Sequence, residues 1–401
     1  MNSLFPPCFP AIGRQSIKTA CLLLLILLIK PAVAAPALVP KPPSLSAIAY
    51  LLMDTDTGNV LVQHNADIRL PPASLTKMMT AYILTYELDN GNVSLDDVVR
   101  ISEKAWRTPG SRMFVQEGKF VSLRNLMRGV IIQSGNDASV ALAEHLADSE
   151  EVFADLMNHH AARLGMTGSN FVNSTGLPDE NHYTTARDLA ILAREIINTY
   201  PEHYKVYSER EFTYNKIRQP NRNKLLWRDS SVDGLKTGHT EAAGYCLVAS
   251  AKKDGQRLIS VVLGAKNVEA RVQESQRLLT YGMRFFETYP LYTVGTELVQ
   301  AQVWGGAEDY LPLGLSEDLL VTIPRGQGKY LKGTMEFDQN IETPLVVGQV
   351  YGQVRVMLDD ELITQRPLVA LVSMDEGGIL KRVTDLIRRS FNQLLEPKIG
   401  G

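Results

Sequence analysis

The sequence predicts the α+β fold class, arranged as a mixed domain in which helices surround an antiparallel sheet, a small all-β domain and a C-terminal amphipathic helix. Three observations carry this. Between about residue 45 and residue 289, strand-like apolar runs alternate with stretches whose apolar residues repeat at helical spacing. After Tyr289-Pro290 only short β-rich runs remain, separated by Gly, Pro and Asp. Beyond Gly377-Gly378 the apolar residues gather on one helical stripe. At 401 residues the chain exceeds what one hydrophobic core usually fills, and 45% apolar with 21% charged residues is an ordinary globular composition.

The first element is not part of the fold. Arg14 and Lys18 precede an apolar run at 20–29, and the small residues Ala32-Val33-Ala34 follow. That is the order of a secretory signal peptide, and the run is about half of the roughly 20 residues a membrane span needs. Removal of residues 1–34 is expected. In the first domain, 35–289, residues 47–53 and 257–263 read as strands, and Asp254-Gly255 reads as a hairpin turn between two β runs. Leu123, Leu126, Met127, Val130 and Ile131 lie on one helix face behind a capping Ser122. After a break at Ser134-Gly135-Asn136, Asp137 is expected to cap a second helix over 138–146. Residues 290–375 hold short strands near 297–303, 319–323, 352–357 and 368–372.

The last segment, 376–401, places Ile379, Leu380, Val383, Leu386, Ile387, Phe391, Leu394 and Leu395 on one stripe, flanked by Lys381, Arg382, Arg388, Arg389 and Lys398. A basic amphipathic helix of this kind is either an anchor lying in a membrane surface or a helix packed on its own domain.

The net charge of −3 lacks the positive field that phosphate contacts require, so no nucleic-acid partner is expected. That average is uneven, because residues 35–378 carry −9 between a basic leader and a basic tail. Cys8, Cys21 and Cys246 match no metal-ligand spacing and the histidines form no HExxH pair, so neither a metal nor another cofactor is expected. With the leader gone Cys246 stands alone, and its apolar neighbours suggest a buried strand.

Three short motifs carry chemistry. In Ser74-Leu-Thr-Lys77, Pro71-Pro72 halts the preceding chain and an apolar helix follows, so the lysine amine lies one turn from a serine at a helix start. A desolvated lysine there could take the serine proton. Alone, the motif reads more simply as a capping serine and a surface lysine, and a second match at Ser250-Ala-Lys-Lys253 lies in the hairpin. Ser134-Gly-Asn136 places a hydroxyl and an amide in the break between two helices. Lys236-Thr237-Gly238 ends an expected strand, where glycine permits close backbone approach and an extended peptide could pair along the edge, its carboxylate met by Lys236 and Thr237. The backbone N–H groups of Ser74 and His239 could then face a developing oxyanion.

In this order and spacing, Ser-x-x-Lys, Ser-x-Asn and Lys-Thr-Gly resemble the penicillin-binding protein and serine β-lactamase superfamily. The segments 133–138, 221–227, 233–240 and 284–287 narrow the resemblance to the low-molecular-mass D-alanyl-D-alanine carboxypeptidases. The resemblance implies a β-lactamase/transpeptidase-like first domain and hydrolysis of peptidoglycan pentapeptide side chains, with β-lactam antibiotics as covalent inhibitors and a membrane surface as partner of the terminal helix. It implies Ser74 as nucleophile, Lys77 as its base, Ser134 and Asn136 as the second catalytic element, and Lys236, Thr237, Gly238 and His239 along the substrate strand. Arg222 and Arg271 look like accessory arginines near the carboxylate, although a solvent-facing salt bridge explains either as well. A serine β-lactamase would share the motifs but would normally lack the second domain and helix, and a non-catalytic wall-binding protein would not need the motif residues intact.

Overall fold

The computed structural model describes residues 39–395, with side chains as far as Arg389. The expected leader, and the side chains of Phe391, Leu394 and Leu395, lie outside the described residues. The first domain is built on five antiparallel strands, β1 (Ala49–Asp54), β2 (Val60–His64), β3 (Val232–Thr240), β4 (Gly244–Lys253) and β5 (Gln256–Ala265), in the order β2-β1-β5-β4-β3. Asp254 at φ 50° and Gly255 at φ 84° make the β4–β5 turn left-handed at both positions, as an Asp-Gly hairpin requires. Among the described residues, the helices of six residues or more that surround the sheet are α1 (Lys77–Asp89), α2 (Leu123–Arg128), α3 (Asn136–Ala147), α4 (Glu150–Arg163), α5 (Ala186–Thr199) and α6 (Val268–Phe285).

Because side chains alternate along a strand, Leu52 and Leu258 meet α6 at Gly282, while Leu51, Ile259 and Val261 join the core that α1 and α5 complete. Strands covered on both faces are nearly continuous apolar runs, which is why 258–263 is apolar apart from the buried Ser260. Helix α1 is buried along 77–85 and threads the centre of the domain, so a lysine at its first position is carried into the core.

Two local expectations change. Ser122 caps α2 through a hydrogen bond from the Asn125 N–H, but beyond Arg128 the chain widens into a π turn (Gly129–Gln133) instead of continuing as an α-helix, and it stops at Ser134 with φ 65°. Gly135, not Asp137, occupies the N-cap of α3. The Asp137 carboxylate accepts hydrogen bonds from the N–H groups of Met113, Phe114 and Val115, and from Ala138, so a long-range demand outweighs the cap.

Strand β6 (Phe286–Tyr292) follows α6 without a break, so the domain junction expected at 289/290 falls inside a strand. It pairs with β9 (Leu319–Pro324). Beside this pair, β7 (Val299–Trp304), β8 (Tyr310–Gly314), β10 (Leu331–Phe337), β11 (Ile341–Glu342), β12 (Val350–Leu358) and β13 (Glu361–Ala370) form a sheet ordered β10-β12-β13-β8-β7-β11. Its core, including Leu311, Leu313, Val321, Val354 and Leu368, is separate from that of the first domain. Thr288 donates to Asp54 at 2.5 Å, and Thr57 meets Thr322 at 2.5 Å, so side-chain hydrogen bonds tie the β1–β2 turn to the second domain.

The terminal helix α7 (Ile379–Leu395) rests on the second domain by its polar face. Asp385 accepts from the Gly305 N–H at 3.1 Å, and Lys381, Arg382 and Arg389 pair with Asp309, Glu376 and Glu342. Ile379, Leu380, Val383, Leu386 and Ile387 face outward, each at least 51% exposed. Among the described residues no helix is long and apolar enough to cross a membrane.

Candidate active site

Ser74 lies in a 3-10 turn (Ala73–Thr76) that leads directly into α1. This turn is pressed between two segments that approach it closely at glycines. A Cβ on Gly176, at φ +82°, would stand 1.8 Å from the Ala73 carbonyl oxygen, and one on Gly238 would stand 3.0 Å from the Pro72 oxygen. Gly238 therefore lets β3 run against the Ser74 turn. The Lys236-Thr237-Gly238 motif sits within β3 and not at its end, and β3 is an edge strand with one side unpaired.

Three hydrogen-bonding atoms surround the Lys77 amine. Its Nζ lies 2.7 Å from Asn136 Oδ1, 2.5 Å from the Thr175 carbonyl oxygen and 3.1 Å from Ser74 Oγ. Burial pushes its pKa down from 10.5 to about 7, Arg222 pushes the same way, and Asp137 and Glu150 oppose them. A neutral amine fits these partners: two N–H bonds go to the oxygens of Asn136 and Thr175, and the lone pair is left for the Ser74 proton. Lys77 is thus no surface lysine. The second Ser-x-x-Lys match differs on each count, since Ser250 is buried in a bond from Arg257 and Lys253 is exposed beside the hairpin turn.

The other motifs converge on the same point. Lys236 Nζ donates to Ser134 Oγ at 2.8 Å and to the Thr237 carbonyl at 3.0 Å. Its pKa is held well below the ordinary lysine value, first by burial and then by Lys77, Arg222 and Arg271. Asn136 is fixed at its far end by donating from Nδ2 to the Pro109 carbonyl at 2.6 Å.

Arg271 is buried and donates to the Gly238 and Cys246 carbonyls, over the Tyr245 ring on which His239 also rests, so the salt-bridge alternative fails for it. Arg222 is exposed, makes no ion pair among the described residues, and acts on both lysines through its charge. The cleft thus gathers four basic side chains, with Asp137 and Glu150 acting on Lys77, and the charges of Arg222 and Arg271 favour a carboxylate ligand. Cys246 is buried behind it with its thiol pKa raised to about 11, as its apolar strand suggested.

Several contributors carry no sequence motif. The Thr175 carbonyl, Gly176 and His182 come from the loop between α4 and α5. His182 Nδ1 accepts from the Val172 N–H, so Nε2 carries the proton and donates to Thr76 Oγ1 at 2.8 Å; burial lowers its pKa to about 4. Only Gly176 had a legible cue, as a glycine between loop residues.

Comparison with known proteins agrees with this geometry. Residues 37–267 match the family model for D-alanyl-D-alanine carboxypeptidase, and residues 286–376 match that for the penicillin-binding protein 5 C-terminal domain. The chain is 46% identical to D-alanyl-D-alanine carboxypeptidase DacC of Escherichia coli (strain K12), over 88% of this chain and 90% of that one. It superposes on penicillin-binding protein 5 from Haemophilus influenzae with a TM-score of 0.81 at 43% identity, covering 84% of this chain and all of the other. Penicillin-binding protein D2 from Listeria monocytogenes, solved in its ampicillin-bound form, matches 61% of this chain and all of its own at 32% identity and a TM-score of 0.57. With the motif side chains gathered in one cleft and both domains matched, the chain belongs to the D-alanyl-D-alanine carboxypeptidase family of serine peptidases, the penicillin-binding protein 5 group.

Proposed function

We propose that this protein removes the terminal D-alanine from peptidoglycan pentapeptides through an acyl-enzyme on Ser74. The observation that carries the proposal is a wholly buried Lys77 amine 3.1 Å from the Ser74 hydroxyl, with its pKa lowered to about 7. Lys77 takes the proton as Ser74 Oγ bonds to the carbonyl carbon of the penultimate D-alanine. The C–N bond then breaks, and the leaving D-alanine nitrogen receives a proton through Ser134, which Lys236 orients. Water hydrolyses the ester and restores Ser74. The substrate carboxylate is held by Thr237, Lys236 and the positive field of Arg222 and Arg271, with the peptide extended along β3. A β-lactam would enter the same first step.

Labelling with a fluorescent penicillin and assay of D-alanine release from a defined pentapeptide test this reading. The wild-type protein should give both signals and Ser74→Ala neither; labelling that survives in Ser74→Ala would end it.

We further propose export with loss of residues 1–34, and residence on the periplasmic face of the inner membrane with α7 in the lipid interface. The outward apolar stripe of α7 supports this, since a helix serving only its own domain would turn that face inward. Lys381, Arg382 and Arg389 face Asp309, Glu376 and Glu342, which makes contact with lipid mainly apolar. Vesicle co-sedimentation should be lost in a chain ending at Asp375, and retained binding of that chain would remove α7 as the anchor.

A further inference from the structure

We propose that Asp137 is a positioning residue for acylation: its carboxylate ties the strap of residues 109–115 to the Ser134–Asn136 turn, and so holds Asn136 against Lys77. The strap has no helix or strand of its own, and its order comes from side chains. Asp137 Oδ1 accepts from the Met113 N–H at 2.9 Å, and Oδ2 accepts from the N–H groups of Phe114 at 2.8 Å and Val115 at 3.2 Å. The strap carbonyls are met in turn by Asn136 Nδ2 at Pro109, the Asn136 N–H at Ser111, Gln133 at Arg112 and Gln219 at Met113. Asn136 is thus held by two strap carbonyls on one side while its Oδ1 receives Lys77 on the other. Gly135 leaves room for this clasp, since a Cβ there would stand 2.8 Å from Asp137 Oδ1 and 3.0 Å from the Met113 nitrogen. Phe114 is drawn into a left-handed conformation, φ 69°, as the carboxylate gathers three successive N–H groups.

Asp137 also acts on Lys77 by charge. The charged and titratable groups around that amine are Arg222 and Lys236, the acids Asp137 and Glu150, and His182, so Asp137 is one of two groups that favour the ammonium form. Its removal makes Lys77 give up its proton at lower pH while loosening the partner that aims it.

This inference rests on acylation of Ser74, and the wild-type control separates the two. No penicilloyl adduct in the wild type defeats that reading, whereas wild-type acylation matched by the variant defeats only the role of Asp137. The experiment is stopped-flow acylation by a chromogenic β-lactam between pH 5 and 9, expressed per site titrated with labelled penicillin, for wild type, Asp137→Asn and Gly135→Ala. Asp137→Asn keeps the side-chain shape but turns an amide N–H₂ toward strap N–H groups. Its maximal per-site rate should fall about tenfold to a hundredfold, the scale of a small misplacement, and the acid limb of its profile should move to lower pH. Gly135→Ala displaces the carboxylate without removing its charge, so its rate should fall with the limb unmoved. An unchanged per-site rate, or an unmoved limb, in Asp137→Asn overturns the proposal. If that variant does not fold, Gly135→Ala decides alone, and a wild-type rate there overturns it.

Discussion

The catalytic cleft and the α7 docking face treat charge in opposite ways. In the cleft, Lys77 and Lys236 are buried with no salt bridge among the described residues, Arg271 donates to carbonyls, and the lysine pKa values are driven down. On the second domain Lys381, Arg382 and Arg389 each face an acid, and the pairs are partly or largely exposed. Surface pairs of that kind contribute at most about 1 kcal/mol each, so they orient a helix without storing much energy. Buried unpaired amines are costly, and a fold keeps them where a neutral amine or an incoming anion is the function. The contrast teaches that burial without a counter-charge, more than charge itself, marks the working region.

The largest expected effect breaks the cleft at its base. Lys77→Ala should lower acylation by about 10³- to 10⁴-fold with the fold retained by circular dichroism, and a loss under tenfold would make another group the base. Gly176→Ala comes next. Its Cβ meets the Ala73 carbonyl at 1.8 Å in a left-handed backbone, so a destabilisation of about 3–5 kcal/mol by denaturant titration is expected, and a wild-type midpoint would show that the loop can back away.

A third test uses pH. Lys77 is a base only when neutral, so acylation should rise through about pH 7 and level off above it; a limb near pH 10 would place the lysine in an ordinary aqueous setting. Stability should show the cleft's buried His182 as well. Its folded pKa of about 4 lies below the ordinary 6.5, so the unfolded chain binds the proton first, and its contribution is present above about pH 6.5 and lost as pH falls to about 4. The melting temperature should therefore drop over that window, and less steeply in His182→Gln. The smallest effect lies on the helix. Neutralising Asp309, Glu342 and Glu376 together as Asn, Gln and Gln should cost no more than about 1 kcal/mol per pair and make vesicle binding more dependent on anionic lipid. Unchanged lipid dependence would mean that the helix charges were never held by the domain.

Local chemistry made much of this legible in one dimension. The Asp-Gly turn, the Ser122 cap, the apolar central strands, the change of texture near residue 290 and the α7 stripe all follow from period and turn residues. So did the motif residues Ser74, Lys77, Ser134, Asn136 and Lys236, because their types and order are unusual together. Tertiary structure alone decided what those residues are. One Ser-x-x-Lys match became a hydroxyl beside a buried amine because α1 carries Lys77 into the core; the other, at 250–253, stayed in a hairpin. Asp137 looked like a cap until the strap supplied three N–H groups from more than twenty residues away, and the orientation of α7 depended on acids at 309, 342 and 376. Desolvation and long-range hydrogen bonding are properties of assembled surroundings, and no window of sequence contains them.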